Sequence, residues 1–405
     1  MNAPHPIAPT GLLAVITLGL AIAPLAPSSL ARGQEVTSAA ARTLPGVSEA
    51  VRKALEDHEV AGAITVVGGQ SRLLHFEAAG LADIATKRPM TPDTIFWIAS
   101  MSKPVTAVAL MMLVEEGKVG LSDPVSKFIP AFSALKAPDG QPAGITVLQL
   151  MTHTSGLGEI SGEEAARCRT LEEAVALYLT KPVRFTPGTK WAYCQSGINT
   201  AGRIIEIASG KRLPEFLQER LFGPLDMKDT TFYLTDEQER RLATSYSRAD
   251  DGTLAPTPIR FLNGSSPTSR DRFPAANGGL FSTAIDYERF ARMVLNNGEL
   301  RGRRLLRPES VKTMTSLHSG DLATGFTPGN GWGVGWCLVR APQGPSAALA
   351  PGSFGHGGAY GTQAWVDPTH GRFYLLMVQR ANYPNSDASP LRTAFQDAAA
   401  AALDP

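Results

Sequence analysis

Cysteine is scarce in this chain, and so is any spacing that would hold a metal. Cys168, Cys194 and Cys337 are odd in number and scattered, so they outline no disulfide framework. No Cys-x-x-Cys and no His-Glu-x-x-His occurs, which argues against a structural zinc and a zinc protease. A Gly-x-Ser-x-Gly elbow is missing, as is any dinucleotide or phosphate loop. Charge of one sign is also in short supply. The 38 Lys and Arg nearly balance 37 Asp and Glu, giving a net charge of +1, so no strong field draws the chain to an acidic partner. No basic block with interleaved aromatics occurs, which excludes the usual nucleic-acid footprint. There is no internal repeat. With 405 residues, 43% hydrophobic and 19% charged, the composition is that of a globular protein.

Long apolar runs are limited to the N-terminus. Gly11 to Ala26 is almost wholly apolar, with Pro24 near its end, and Pro27-Ser28-Ser29-Leu30-Ala31 follows. Small residues at Ser29 and Ala31 match a cleavage site after Ala31, although Met1 to Thr10 carries no Lys or Arg. The run is short for a membrane anchor, and no nearby cysteine could carry a lipid. The expected organisation is a signal peptide (1–31), a flexible lead-in (32–45) and one domain (46–405). Export to the periplasm or the medium is expected, with no stable membrane insertion after cleavage.

What is present begins at Ser100-Met101-Ser102-Lys103. On a helix, residues three apart share one face, so a hydroxyl and an amine would meet there. A serine is a poor nucleophile until a base takes its proton, and a lysine is a base only when neutral, a form that burial favours. The segment Val105 to Val114 is apolar except for Thr106 and reads as a buried helix. Pro104 suits a first turn and Gly117 a helix stop. A second such pair, Ser133-Ala134-Leu135-Lys136, sits between Pro130 and Pro138-Asp139-Gly140 and reads as a surface loop.

Periodicity predicts helices over Val47 to His58, Leu171 to Leu179, Gly197 to Ala208, Tyr287 to Leu295, Pro308 to Thr315 and Pro390 to Leu403. It predicts one hairpin from Ala63 to Val67 and Leu73 to Ala79. A second comprises Thr362 to Val366 and Phe373 to Val378, around Asp367-Pro368-Thr369-His370-Gly371. Strands thus cluster at the two chain ends. The expected fold class is α+β: an antiparallel sheet built from both ends with flanking helices, plus an inserted, mainly helical region.

Four further stretches could carry chemistry. Tyr193 follows the Pro187-Gly188 turn and could relay a proton if a nearby cation lowered its pKa; the alternative is an amphipathic tyrosine at an edge. His356 lies in the glycine-rich Gly352 to Gly361. That stretch reads either as a flexible loop or as a strand edge whose N–H groups serve an oxyanion. His153, in Thr152-His153-Thr154-Ser155-Gly156-Leu157, reads as structural at a helix end. Trp332-Gly333-Val334-Gly335-Trp336 reads as a strand with two buried indoles rather than a cleft wall.

In order, Ser100-Met101-Ser102-Lys103, Leu150 to Leu157, Pro187-Gly188-Thr189 with Tyr193, Asn277-Gly278-Gly279-Leu280-Phe281-Ser282-Thr283 and His356-Gly357-Gly358 resemble the serine β-lactamase-like family. That family holds class C β-lactamases, D-alanyl-D-alanine carboxypeptidases, D-aminopeptidases and family VIII esterases. The resemblance runs from roughly Val47 to Ala400 and implies a β-lactamase/penicillin-binding-protein-like fold. It implies that Ser100 is acylated, that Lys103 and Tyr193 share proton transfer, and that the N–H groups of Ser100 and Ala359 form an oxyanion hole. Gln195, His356, Gly357 and Gly358 would contact substrate, and His356 would position it or polarise Tyr193. No metal and no organic cofactor are implied.

The chain departs from the family pattern at two positions. Tyr193-Cys194-Gln195 replaces the usual Tyr-x-Asn, which puts the amide one methylene further out and its bond to Lys103 in question. His356 stands where β-lactamases usually carry lysine, and an unperturbed imidazole is mostly uncharged at neutral pH. Both departures favour a small ester, or a small amide, over a β-lactam. The expected function is therefore an exported serine hydrolase acting on esters. The alternatives are a D-alanyl-D-alanine carboxypeptidase or D-aminopeptidase, a weak β-lactamase, and a non-catalytic penicillin-binding or sensor protein.

Overall fold

The computed structural model describes residues 43–404. The expected signal peptide and nearly all of the lead-in lie outside the described residues. The helix Pro45–Glu56 opens with its proline in the first turn and buries Val47, Val51 and Ala54, one face of a 3.6-residue repeat. Gly62–Gly69 and Leu73–Asp83 then pair as the expected antiparallel hairpin.

Among the described residues, one antiparallel sheet of eight strands dominates. Its spatial order is Asn330–Trp332, Cys337–Val339, Phe354–Gly357, Gln363–Asp367, Arg372–Met377, Gly62–Gly69, Leu73–Asp83 and Arg88–Pro89. The two ends of the chain meet inside it, with Ile64 opposite Met377 and Gly69 opposite Arg372. Side chains alternate across each strand. Phe373, Leu375 and Met377 join Ile64 and Val66 in the core beneath Ser102–Glu115 and Ala284–Leu295. Tyr374 and Leu376 join Ala63 and Val67 on the other face, under the helices Pro45–Glu56 and Pro390–Leu403. Both faces are covered, which is why these strands read as near-continuous apolar runs.

Between the sheet's two contributions lies the helical region. The Gln195–Ser209 helix buries Ile198, Ala201 and Ile205 in the same core as Leu171 and Val175 of Leu171–Tyr178. The Ser102–Glu115 helix is buried from Ser102 to Leu113, as the run from Val105 to Val114, apolar except for Thr106, foretold.

Two expectations need correction. The Trp332–Trp336 segment is not one strand: the chain reverses between Asn330–Trp332 and Cys337–Val339, with Gly335 in the left-handed region at φ 75°. Its indoles diverge, Trp332 toward Tyr193 and His356, and Trp336 stacking on Phe290. The Gly352 to Gly361 stretch is not a flexible loop: Phe354–Gly357 is a strand paired along its length with Gln363–Asp367, while only Phe354 and Gly355 pair with Cys337–Val339, so His356 and Gly357 have no strand partner on that side.

Candidate active site

A short two-stranded ribbon, unmarked by any sequence pattern, fixes the approach to Ser100. Ile95–Trp97 pairs with Phe281–Thr283. Beyond the ribbon, Ile98 N–H donates to Leu280 O at 3.1 Å and the Trp97 indole N–H donates to Gly278 O at 2.7 Å. Ala99, directly before Ser100, holds φ 46°, a strained value for a residue with a Cβ. A single turn, Ala99–Met101, then runs into the Ser102–Glu115 helix. The Ser102 hydroxyl is occupied, donating to Ala99 O at 2.7 Å and accepting from Leu280 N–H at 3.2 Å. Ser100 is partly exposed, and its hydroxyl faces Lys103.

Lys103 is fully buried, and its ammonium has three acceptors. Nζ lies 3.1 Å from Ser100 Oγ, 2.9 Å from Gln195 Oε1 and 2.8 Å from Asn277 O. The question left by Gln195 is thereby answered, because its longer side chain reaches Lys103. Asn277 Nδ2 donates to the same Gln195 oxygen at 2.7 Å and so orients it. Burial lowers the Lys103 pKa to about 7, against the opposing pull of Glu159. A neutral amine keeps two N–H groups. With both held by Gln195 and Asn277 O, its lone pair is left facing Ser100 Oγ.

Tyr193 packs beside this network, with Lys103 Nζ 4.5 Å from its ring centroid. The condition that a nearby cation lowers its pKa is not met. Burial raises the pKa, opposed by a hydrogen bond with the Ser100 hydroxyl. Tyr193 is therefore held as a neutral phenol. Its ring is set by His153 at 4.5 Å, Phe326 at 4.9 Å and Trp332 at 6.0 Å between centroids. His153 plays the structural part expected of it: the ring is fully buried, and Nδ1 accepts from Cys194 N–H at 3.2 Å, pinning the backbone next to Tyr193.

His356 sits within the cluster, 6.1 Å from the Tyr193 ring, and makes no hydrogen bond to it among the described residues. Nδ1 bonds Gly357 O at 2.7 Å, which makes it the protonated nitrogen, while Nε2 is buried and unpaired. Burial, then the nearby Lys103 charge, lowers its pKa to about 3, so it is neutral. The expected polarisation of Tyr193 by His356 has no direct contact behind it. Gly357, the last residue of its strand, and Gly358 pass close to the Ser100 turn. A Cβ on Gly358 would lie 2.7 Å from Ile98 O, so only glycine allows this approach. Gly358 N–H donates to Thr362 O and Gly361 N–H to Gly358 O. Ala359 N–H, between them, has no backbone acceptor among the described residues, and the residue is exposed.

Two site residues have no distinguishing sequence signal. Glu159 accepts from the N–H groups of Gln195 and Ser196 at the start of the Gln195–Ser209 helix, where the helix dipole favours a carboxylate. Burial nonetheless raises its pKa. Asn277 opens the segment Asn277 to Thr283, in which no local pattern marks the contacts of its carbonyl and amide. Ser133 lies far from this arrangement in character: it is exposed, on the Pro130–Ala134 turn, and donates only to Pro130 O.

A family comparison agrees with this geometry. Residues 47–399 match the model of the Beta-lactamase family. The chain belongs to the β-lactamase family. Protein Rv1367c of Mycobacterium tuberculosis is 32% identical over 375 residues, covering 85% of this chain and 92% of the relative. Esterase EstB of Burkholderia gladioli is 30% identical over 377 residues, with coverages of 85% and 92%. The solved structure of EstCE1, a hydrolase with promiscuous acyltransferase activity, superposes with a TM-score of 0.76 at 24% identity, covering 87% of this chain and 98% of that one, and shows the shared fold. This β-lactamase-family chain is a serine hydrolase, of a family whose members include esterases and penicillin-binding proteins. Among the described residues no helix is long and apolar enough to cross a membrane, and no cluster of three potential metal ligands occurs.

Proposed function

We propose that this enzyme hydrolyses carboxylic esters through an acyl-enzyme on Ser100. The observation that carries the reading is the amine of Lys103, buried, with two fixed acceptors and its remaining valence toward Ser100 Oγ. Neutral Lys103 takes the serine proton as Oγ attacks the ester carbonyl. The N–H groups of Ser100 and Ala359 donate to the developing oxyanion. Tyr193, a phenol at the pH of turnover, passes its proton to the leaving alkoxide and takes up the serine proton held by Lys103; in deacylation the Lys103–Tyr193 pair accepts a proton from the attacking water and returns one to Ser100 Oγ as the acid leaves. His356, neutral at its position, offers no fixed cation to a β-lactam or peptide carboxylate, which favours an ester. Export belongs to the same proposal, on the strength of the Gly11 to Ala26 run and the small residues Ser29 and Ala31.

Mixing the protein with a p-nitrophenyl ester and following intact mass tests this reading. A transient acyl adduct is expected on the peptide that carries Ser100, with nitrophenol release continuing after it saturates. An adduct that persists without turnover would mark a binding protein instead, and neither adduct nor product would end the esterase reading. The pH profile is a second check. The active amine is the deprotonated one, so kcat/KM should rise with pH, inflect near the Lys103 value of about 7 and level off above it. Below the inflection it should fall about tenfold per pH unit. His153 and His356 are both held neutral and add no second inflection there. A flat profile through neutrality would remove Lys103 as the base.

A further inference from the structure

A cavity of about 220 Å³ opens beside the Lys103 network, with Gln195 and Asn277 in its wall. Its lining is largely apolar, including Ile160, Phe261 and Phe273, and it also contains Arg272. Arg272 is only 8% exposed. Its Nη2 donates to the carbonyls of Phe232 and Pro267, and the guanidinium lies over the Tyr233 ring at 4.9 Å. Nε is buried without a partner, and Nη1 makes no hydrogen bond among the described residues.

Arg292 pairs with Glu288, and Arg372 pairs with Asp404 although its Nε is also unpartnered. Arg392 has no paired carboxylate, but spends Nε, Nη1 and Nη2 on Gln396, Asp387 O and Ser346. Arg272 has neither a paired carboxylate nor a full set of acceptors. Arg272 forms no ion pair among the described residues (the adjacent Asp271 faces Arg169), although burial lowers its pKa only to about 10, which keeps it charged at neutral pH. Glu159, the carboxyl in the cavity wall, has its oxygens held by Gln195 and Ser196 N–H and does not pair with Arg272. An uncompensated guanidinium in an apolar cavity is costly unless a ligand supplies the anion. Its planar fork suits a carboxylate.

The geometry points to a substrate whose acyl chain ends in a carboxylate, a half-ester of a dicarboxylic acid, with the chain in this cavity and its carboxylate on Arg272. The inference rests on the esterase reading and names the substrate class of the same site. Ser100 Oγ takes the acyl group, the alcohol leaves with the proton, and water then frees Ser100 and the dicarboxylic acid. The carboxylate charge that His356 cannot bind is met here, on the acyl side of the carbonyl.

The test compares p-nitrophenyl half-esters, from succinyl to suberyl, with neutral p-nitrophenyl esters of equal acyl length. At one chain length or more, wild-type kcat/KM should favour the half-ester by about tenfold or more, the scale of a charge-assisted hydrogen bond. Arg272→Gln should remove that ratio and Arg272→Lys should keep part of it; a uniform loss of rate cancels in the comparison. A wild type with no preference at any length, or an unchanged ratio in Arg272→Gln, overturns the inference while leaving the esterase reading intact. If Arg272→Gln does not fold, the wild-type series decides, together with competitive inhibition by suberate against its absence with octanediol. Should neither ester turn over, the esterase reading fails. Calorimetry with monomethyl adipate then decides: heat in the wild type and none in Arg272→Gln supports the pocket, and no heat, or equal heat in both, overturns it.

Discussion

Ser100→Ala is expected to lower kcat for ester hydrolysis by about four orders of magnitude or more, the scale seen when a serine nucleophile is deleted from a working constellation. The reason is positional. Ser102 is two residues away but fully buried, and its hydroxyl is tied to Ala99 O and Leu280 N–H. Ser100 is partly exposed, and its hydroxyl faces Lys103 and Tyr193. The substitution removes the hydroxyl's hydrogen bonds with Lys103 and Tyr193 at the start of a well-packed helix, so the thermal midpoint should move only modestly, at a cost of about 1–2 kcal/mol. Ser133→Ala, on the exposed Pro130–Ala134 turn, should retain full turnover. Steady-state assays of both variants, with melting curves alongside, check this. Equal losses in the two would overturn the assignment of the nucleophile.

Tyr193→Phe is expected to cost about a hundredfold or more in kcat/KM on alkyl esters, the usual contribution of a positioned acid–base group. Its loss should depend on the leaving group. An alkoxide must be protonated as it departs, whereas p-nitrophenoxide leaves readily as an anion, so acylation by the p-nitrophenyl ester should suffer much less. The distinction follows from the two groups' environments. Burial raises the Tyr193 pKa and keeps its proton in place, while burial lowers that of Lys103 to about 7. Phenylalanine keeps the packing against His153, Phe326 and Trp332. Pre-steady-state rates on a matched pair of esters provide the readout. Equal loss on both leaving groups would assign Tyr193 to positioning rather than proton donation, and near-normal rates on both would remove it from the mechanism.

The segments that were legible in the sequence are those where one element decides its own surroundings. The Ser102–Glu115 helix is apolar on every side and is buried on every side. The terminal hairpins and the Pro390–Leu403 helix carry their own turn and period signals. The short strands Ile95–Trp97 and Phe281–Thr283 could not be read, because three residues have no period and their pairing is set by packing between distant segments. The same holds for the Trp332 region, whose reversal depends on the backbone freedom of Gly335 rather than on alternation. Within the site, the Ser100–Lys103 pair is local and visible. The contributions of Gln195 and Asn277 to Lys103 come from loops and helix starts far along the chain. The tyrosine shows the limit most clearly. A cation nearby suggested a lowered pKa, but desolvation, a property of the whole cluster, outweighs it. The Arg272 cavity was out of reach for a similar reason, since its walls are brought together from separate loops.

The antiparallel partnership of Gly62–Gly69 with Arg372–Met377 has a consequence for the order of assembly. Closing a loop that long costs entropy before any contact rewards it. Gly62–Gly69 therefore waits, unpaired on one side, until the chain as far as Met377 has emerged. The strand Phe354–Gly357, which leads to Ala359 beside the Ser100 turn, is also made long after Ser100 and Lys103. A ribosome-bound chain that stops short of Phe354 would hold Ser100 and Lys103 without the strand that packs against their turn.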